Sequence, residues 1–464
     1  MNSRLTSGAL ALAALAAQAV AQPASVSTPT RKPNVVYILC DDLGIGDVGA
    51  FNPTRGKIPT PNIDRLASDG MRFTDAHSAS ALCTPSRYAL LTGRYSWRSH
   101  LQAGVLGGWS EPLLSAERPT VATFLREQGY ATACIGKWHL GLTPGEDRFK
   151  SPLRDGPLQH GFDRFFGIAA SLDMAPFAWI DDDRFPEAPS VQKKFGRTGM
   201  AAPSFEAVDV LPTLTTKAVD YIKTHGNVDA KPYFLYLPLT SPHTPIVPTA
   251  EWHGKSGLGD YGDFVMQTDA TVGAVLKAID DSGQRDNTIV CFASDNGFAP
   301  PGVNPKVLEA LGHYPSAEFR GYKTDIWDGG HRIPFIVRWP AVVKPGTQCS
   351  QFVGLIDLFG TIADVLQQKL PDNAAVDSFS LLPLLKGSDA PVRTYDIYHS
   401  GDGYFAIREG DWKLELCAGS GGWALPTNTA LKRNRCPRCS STTFGWTSEN
   451  GTTFNRYIPT SLHV

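Results

Sequence analysis

One unit recurs four times along the chain and constrains its fold more than any other feature: a short apolar, β-branched run that ends in a polar loop. The runs cover residues 33–40, 131–135, 232–238 and 288–293. Continuous apolar runs of this length are typical of strands that are buried on both faces of a parallel sheet. Segments with helical periodicity lie between them, so the sequence predicts an α/β fold in which a mostly parallel sheet is sandwiched by helices.

Other helices and strands are indicated by periodicity and by glycine or proline boundaries. These signals predict helices over 60–70, 83–93, 120–129, 213–224, 265–280 and 353–366, and further strands over 71–74 and 333–339. The region from about 390 differs, because two runs, 404–408 and 412–416, flank a Glu-Gly-Asp turn and predict a hairpin. We therefore predict one large α/β domain over 33–385 and a small C-terminal antiparallel subdomain over 390–425.

The loops after the four apolar runs carry most of the chemically distinctive residues. In chain order they hold Asp41 and Asp42, Lys137 and His139, His243, and Asp295 and Asn296. In open α/β sheets, ligands bind outside the carboxyl ends of the strands, so we expect these loops to form one site. Arg87 and Lys323 add positive charge, and histidines can transfer protons near neutral pH.

Four of these residues indicate a metal site. Asp41, Asp42, Asp295 and Asn296 offer only oxygen ligands, which suit a hard cation such as calcium or magnesium better than zinc or copper. The adjacent carboxylates of Asp41 and Asp42 also repel each other unless a cation holds them. The alternative is an ordinary surface turn, since Asp and Gly are frequent turn formers.

The segment from Leu82 to Arg87 places one thiol, a proline and an arginine at a predicted helix start. Pro85 suits the first helical position, which puts Cys83 or Thr84 at the cap, beside the positive end of the helix dipole. Such a position favours an anion. The alternative is that Cys83 is a buried or disulfide-bonded cysteine that happens to precede a helix.

Six segments together resemble the motifs of one enzyme family, in the family's order: 41–44 (DDLG), 83–94 (CTPSR to LLTGR), 136–141 (GKWHLG), 241–245 (SPHTP), 294–297 (SDNG) and 321–334 (GYKxxxxxGGxRxP). They resemble the type I, formylglycine-dependent sulfatases of the arylsulfatase A kind, and most of all bacterial carbohydrate sulfatases. The resemblance covers about 33–417 and implies an alkaline-phosphatase-like fold. It also implies that a formylglycine-generating or maturase enzyme converts Cys83 to formylglycine after translation.

The resemblance assigns roles residue by residue. It makes Asp41, Asp42, Asp295, Asn296 and modified Cys83 the ligands of a calcium ion, with magnesium as the alternative metal. One hydroxyl of the hydrated aldehyde at position 83 would attack sulfur, and the other would lose its proton to His139 and release sulfate. Further roles are implied as follows: Arg87 and Lys137 would hold the diol and the sulfate oxygens, His243 and Lys323 would contact the leaving oxygen, and Ser171 would contact sulfate.

The expected activity is hydrolysis of an O-sulfate on a sulfated carbohydrate, or on an aryl sulfate. Asp173, His399 and Asp402 are the candidate partners for sugar hydroxyls. Two alternatives are a phosphonate or phosphodiester hydrolase of the same superfamily and a catalytically silent glycan-binding relative. A net charge of -2 gives no electrostatic footprint for nucleic acid, so we expect no nucleic-acid partner.

The two ends of the chain differ in character from the rest. Residues 1–21 read as a signal peptide with an Ala19-Val20-Ala21 cleavage site, which predicts a periplasmic or secreted protein without stable membrane insertion. Residues 431–464 are basic and rich in cysteine and serine. The lone Cys436-Pro-Arg-Cys439 motif lacks a second ligand pair for zinc. We predict a disordered or aberrant tail after a truncated subdomain, with no packed core from Arg433 to Val464.

Overall fold

The structure, a computed structural model, describes residues 31–226, 230–433, 443–448 and 453–457 of the chain. The predicted signal peptide lies outside these residues. The strands of the described part are β1 Asn34–Asp41, β2 Met71–Phe73, β3 Ala76–His77, β4 Ala131–Lys137, β5 Arg164–Ile168, β6 Ile180–Asp181, β7 Val191–Phe195, β8 Arg197–Ala201, β9 Tyr233–Pro242, β10 Thr288–Ser294, β11 Phe335–Arg338, β12 Thr347–Cys349, β13 Val353–Gly354, β14 Tyr395–His399, β15 Phe405–Glu409, β16 Trp412–Glu415, β17 Thr443–Ser448 and β18 Thr453–Tyr457. The helices are α1 Pro61–Asp69, α2 Cys83–Thr92, α3 Val121–Glu127, α4 Val210–His225, α5 Gly259–Asp281, α6 Pro305–Ala310, α7 Asp328–His331, α8 Leu358–Val365, α9 Leu382–Leu385 and α10 Asn428–Arg433.

A nine-stranded sheet forms the centre of the large domain, in the order β12-β2-β11-β10-β1-β9-β4-β5-β6. Strand β1 runs parallel to both β10 and β9, with Ile38 opposite Phe292 on one side and Leu237 on the other. Every residue of β1 is buried, which explains the unbroken apolar run. Strands β11 and β6 pair antiparallel with their neighbours, so the sheet is mixed towards its edges. The predicted α/β fold class is confirmed.

Two groups of helices flank this sheet. Helices α1, α4 and α5 pack together, and helices α2, α3 and α8 form a second group. The core is continuous from the sheet into both groups, and it contains α5 residues such as Val272 and Leu276 and the α8 residue Phe359. No helix of the described residues is long and apolar enough to cross a membrane. The arrangement leaves the carboxyl ends of the central strands to be covered by loops.

Two predicted helix starts differ from the structure. Helix α2 begins at Cys83, its cap is Leu82, and Pro85 is therefore the third helical residue rather than the first. The reason is that Ser86 N–H already donates to the Leu82 carbonyl at 3.3 Å, and a proline in the first turn lacks only an N–H that has no intrahelical acceptor. The helix predicted over 353–366 shortens to α8, because strand β13 and a 3₁₀ turn over 355–357 precede it.

The C-terminal subdomain is a five-stranded antiparallel sheet in the order β14-β15-β16-β17-β18. The predicted hairpin is β15–β16, with Ile407 opposite Leu414. Strand β17 pairs with β16 and with β18, so two segments of the region 431–464 are strands. The disordered or aberrant tail stays a prediction. That the tail lacks a packed core stays a prediction, and Cys436 and Cys439 lie outside the described residues.

Candidate active site

The carboxyl ends of five neighbouring strands bring the candidate residues together. In the order β10, β1, β9, β4 and β5, these strands end at or just before Asp295, Asp41, His243, Lys137 and Ser171. Parallel pairing aligns their ends, and the pairing continues past β4 and β5, where His139 N–H donates to the Ala169 carbonyl at 2.9 Å. The structure therefore places these five residues at one edge of the sheet.

The centre of the site is a buried group of acidic residues beside the start of helix α2. One oxygen each of Asp41 and Asp295 and the sulfur of Cys83 lie within 4.8 Å of one another. Asn296 Nδ2 donates to Asp42 Oδ1 at 2.7 Å, and the backbone N–H of Asp42 donates to Asp295 Oδ1 at 3.2 Å. Asp42 has a φ of 66°, so the chain turns sharply as it leaves β1.

Three cations surround these carboxylates. Arg87 donates to Asp295 Oδ2 through Nε at 3.1 Å and Nη2 at 2.6 Å, and its Nη2 lies 3.4 Å from Asp41 Oδ1. Lys137 Nζ donates to Asp41 Oδ2 and to Ser171 Oγ, both at 2.7 Å. Lys323 Nζ donates to Asp42 Oδ1 at 2.5 Å. Three carboxylates and three cations thus cancel in formal charge.

Burial and charge set the protonation of this group. Burial alone would raise the pKa of Asp41, but Lys137, His243 and Arg87 together hold it well below its usual value. Burial raises the pKa of Asp295, with Arg87 opposing that shift. Burial raises the pKa of the Cys83 thiol, and Lys137 and Lys323 oppose it. An unmodified Cys83 is therefore a poor nucleophile here, because the thiolate is the reactive form.

Two histidines belong to the site, one after strand β4 and one after strand β9. His139 Nε2 donates to the Leu106 carbonyl at 2.7 Å, and its buried Nδ1 has no hydrogen-bond partner in the part of the chain that the structure describes. Burial, with Lys137 and Arg87, lowers the pKa of His139 well below its usual value. His139 is therefore a neutral base with an available lone pair on Nδ1. His243 Nδ1 donates to the Thr244 carbonyl at 2.6 Å, and its Nε2 lies 3.5 Å from Asp42 Oδ2.

The acidic group fits a divalent cation. Asp41 Oδ1 and Asn296 Oδ1 are buried and accept no hydrogen bond from any described residue. Asp41 Oδ1 has only the Arg87 ion pair at 3.4 Å. Buried polar atoms without a hydrogen bond are rare, and a bound cation is one explanation for them. Carboxylate and amide oxygens are the ligands that calcium and magnesium prefer. Asp41, Asp42, Asp295 and Asn296, with residue 83, could therefore hold such an ion.

The predicted substrate-binding residues differ in how they relate to this centre. Ser171 is fully buried and hydrogen-bonded to Lys137, so it belongs to the centre. Asp173 lies two residues further along and pairs with Arg197 of the β7–β8 hairpin at 3.3 Å. His399 Nε2 donates to the Gln102 carbonyl at 2.9 Å, and its own carbonyl accepts from Ala81 N–H. Asp173 and His399 thus lie beside the site without contacting its charged residues.

Several residues that support the site were not predicted. Asp47 accepts from Gly44 N–H at 2.8 Å, from Tyr261 Oη at 2.5 Å and from His313 Nε2 at 2.8 Å, and so fixes the turn after Asp42. The Asp47 and His313 side chains are fully buried. The close spacing of Gly44 and Asp47 is a visible turn signal. Tyr261 and His313 are more than 200 positions away, and no local pattern links them to Asp47.

Comparisons with known proteins agree with this geometry. The family model described as "Sulfatase" matches residues 33–368. An N-acetylgalactosamine-6-O-sulfatase of Bacteroides thetaiotaomicron is 37% identical over 427 residues, covering 83% of this chain and 82% of that protein. Arylsulfatase A of Bos taurus is 34% identical over 398 residues, covering 83% and 75%. A solved structure from work on glycosaminoglycan metabolism by B. thetaiotaomicron superposes with a TM-score of 0.78 at 34% identity, covering 86% of this chain and 91% of that one.

Proposed function

We propose that this chain, which belongs to the sulfatase family, removes an O-sulfate from a sulfated carbohydrate. The chain is a sulfuric ester hydrolase, because it matches named sulfatases over most of its own length and of theirs. The carbohydrate is supported by the name of the Bacteroides relative and by the polar residues Asp173, Arg197 and His399 beside the site.

The charge balance of the buried centre is the observation that carries the sulfate part of this proposal. Asp41, Asp42 and Asp295 are matched by Arg87, Lys137 and Lys323, so the site is formally neutral before a metal binds. A calcium ion would leave two uncompensated positive charges inside a water-poor site. A sulfate ester, which is an anion, would then be bound by charges that act strongly at low dielectric.

We propose calcium as the ion and formylglycine as the state of residue 83. Bound calcium would neutralise charge on the sulfate, and a formylglycine hydrate would supply an oxygen nucleophile. The chain's own residues supply the rest. Arg87, Lys137 and Ser171 would orient the nucleophile and the sulfate oxygens, His139 would accept a proton at Nδ1, and Lys323 with His243 would stabilise the leaving oxygen.

Modification requires a partner enzyme, which we propose to be a formylglycine-generating or maturase enzyme. Cys83 is 2% exposed in the folded protein, and every other residue of α2 is buried as well. A modifying enzyme therefore has to reach the segment 83–87 before the chain folds. We further propose export to the periplasm or medium after cleavage near Ala21, which fractionation of the producing cells and the mass of the mature N-terminus would test.

Two measurements test the function. The mass of the peptide that contains residue 83 distinguishes thiol from aldehyde, and a panel of sulfated saccharides is assayed beside nitrophenyl sulfate, with Cys83→Ala as the inactive control. We expect an aldehyde and release of sulfate from at least one saccharide. Turnover of the aryl ester alone would refute the carbohydrate substrate. Faster turnover of phosphodiesters would favour a phosphodiesterase, and an unmodified thiol without any turnover would favour a silent glycan-binding protein.

A further inference from the structure

Thr324, the residue after Lys323, has an unusual backbone conformation. Its φ is +76°, in the left-handed region, where a β-branched side chain is strained. Strained residues of this kind persist only where the surrounding structure holds them, and they are frequent at functional sites. Thr324 is 3% exposed and lies one residue from the ammonium that contacts Asp42.

Three hydrogen bonds hold Thr324. Its N–H donates to the Ala81 carbonyl at 2.8 Å, its carbonyl accepts from Gly401 N–H at 2.7 Å, and its Oγ1 accepts from Trp423 N–H at 2.9 Å. Ala81 lies two residues before Cys83, so the first bond joins the nucleophile segment to the Lys323 segment. The other two come from the C-terminal subdomain.

We call Gly401 and residues 420–424 the C-terminal clamp. A Cβ at Gly401 would lie 2.7 Å from Thr324 Cβ, and one at Gly422 would lie 2.4 Å from Thr324 Oγ1, so both glycines allow the close approach. The clamp continues past Thr324, because Ile326 N–H donates to the Ser420 carbonyl at 2.6 Å and Ala424 N–H donates to Asp325 Oδ1 at 2.9 Å. The backbone on the C-terminal side of Lys323 is therefore fixed by the clamp.

We propose that Thr324 is a positioning residue: held by the clamp in its left-handed conformation, it directs the Lys323 ammonium at the leaving oxygen. This inference rests on the role proposed above for Lys323. The C-terminal subdomain thus contributes to catalysis, although none of those of its residues that the structure describes forms a hydrogen bond or ion pair with the charged centre. Loosening Thr324 lowers the assistance that the leaving oxygen receives in the displacement at sulfur, while the nucleophile at position 83 and the metal ligands stay in place.

The leaving group distinguishes this role from a general structural one. Nitrophenolate leaves readily without stabilisation, whereas phenolate depends more on a nearby cation or acid. The ratio of kcat/KM on nitrophenyl sulfate to kcat/KM on phenyl sulfate therefore reports the position of Lys323. A variant that merely destabilises the fold lowers both values equally and leaves the ratio unchanged.

The experiment compares four variants with the wild type on these two esters. Thr324→Val keeps the branched shape and removes the acceptor for Trp423 N–H. We expect it to raise the ratio about fivefold to tenfold, since one of the three hydrogen bonds that hold Thr324 is lost. Thr324→Ser keeps the hydroxyl and should stay near the wild-type ratio. Gly422→Ala should raise the ratio as Thr324→Val does, because the added Cβ would lie 2.4 Å from Thr324 Oγ1 and would separate Thr324 from the C-terminal clamp. Lys323→Ala should raise it most.

Thr361→Val is the matched control. The Thr361 hydroxyl is also buried and accepts a backbone N–H, from Leu381 at 2.9 Å, but it lies on α8. We expect a lower Tm and an unchanged ratio. An unchanged ratio in both Thr324→Val and Gly422→Ala would overturn the positioning role while wild-type turnover still upheld the sulfatase activity. Absence of wild-type turnover on every sulfate ester would instead refute the proposed function.

Discussion

Replacing Arg87 by methionine tests whether the charge balance of the site is as the structure indicates. Arg87 has no exposed side-chain surface, and it is the only one of the three cations that contacts both Asp41 and Asp295 within the described residues. Methionine fills a similar volume without charge, so Arg87→Met leaves two buried carboxylates short of a partner. Removing one partner of a buried ion pair costs about 3–5 kcal/mol.

The expected change in Tm follows from the size of the chain. An unfolding entropy of about 2.1 cal/mol/K per residue over roughly 400 residues makes each kcal/mol worth about 1.2 °C. In the presence of a chelator we therefore expect the Tm of Arg87→Met to fall by roughly 4–6 °C. Calcium should stabilise the variant more than it stabilises the wild type, because the site that it enters has one more net negative charge.

Thermal unfolding with chelator and with calcium measures both effects. Arg338→Met is the matched control: Arg338 is also fully buried and pairs with Asp280 at 3.3 Å, but it lies opposite the start of β10, at the far end of the sheet. Its Tm should fall while its gain from calcium equals that of the wild type. An equal calcium gain in Arg87→Met and the wild type would refute the reasoning, because calcium would then bind away from Asp41 and Asp295.

Three further predictions follow from the same structure. Burial lowers the pKa of His139, so kcat should fall on acidification only below pH 6.5, the usual histidine pKa, where His139 becomes protonated. A fall in kcat that begins above pH 6.5 and is absent in His139→Gln would contradict this. Asp47→Asn should lower the free energy of unfolding by about 1–3 kcal/mol and weaken calcium binding in a calorimetric titration, since Asp47 fixes the turn after Asp42, whereas the exposed Asp286→Asn should change neither. Burial raises the pKa of Asp269 to about 6, above its value in the unfolded chain, so the wild type should lose stability relative to Asp269→Asn by roughly 1–3 kcal/mol as pH rises from about 4 to 6; a pH-independent difference in Tm would show that Asp269 titrates normally.

The central parallel strands and the loops that follow them could be predicted, because the sequence patterns that indicate them are local. An unbroken apolar run such as 34–40 indicates a strand covered on both faces, and the loop after it reaches the ligand edge whatever the strand order. The strand order is β10-β1-β9-β4. Asp41, Lys137, His243 and Asp295 could be grouped into one site without knowledge of that order. The antiparallel direction of β11 had no such signal, because a short buried strand has the same composition in either direction.

The residues that orient the catalytic groups could not be predicted, because each acts through hydrogen bonds to a residue distant in the sequence. Thr324 resembles any loop threonine until Gly401 and Trp423 are placed beside it, 77 and 99 positions later. Asp47 likewise depends on Tyr261 and His313. A short motif can specify which groups react, since those groups must lie at a strand end or a helix start. The orientation of those groups depends on contacts among loops and between domains, which only the folded chain brings together. A substitution in the C-terminal subdomain should therefore change the orientation of a reacting side chain without removing any reacting residue.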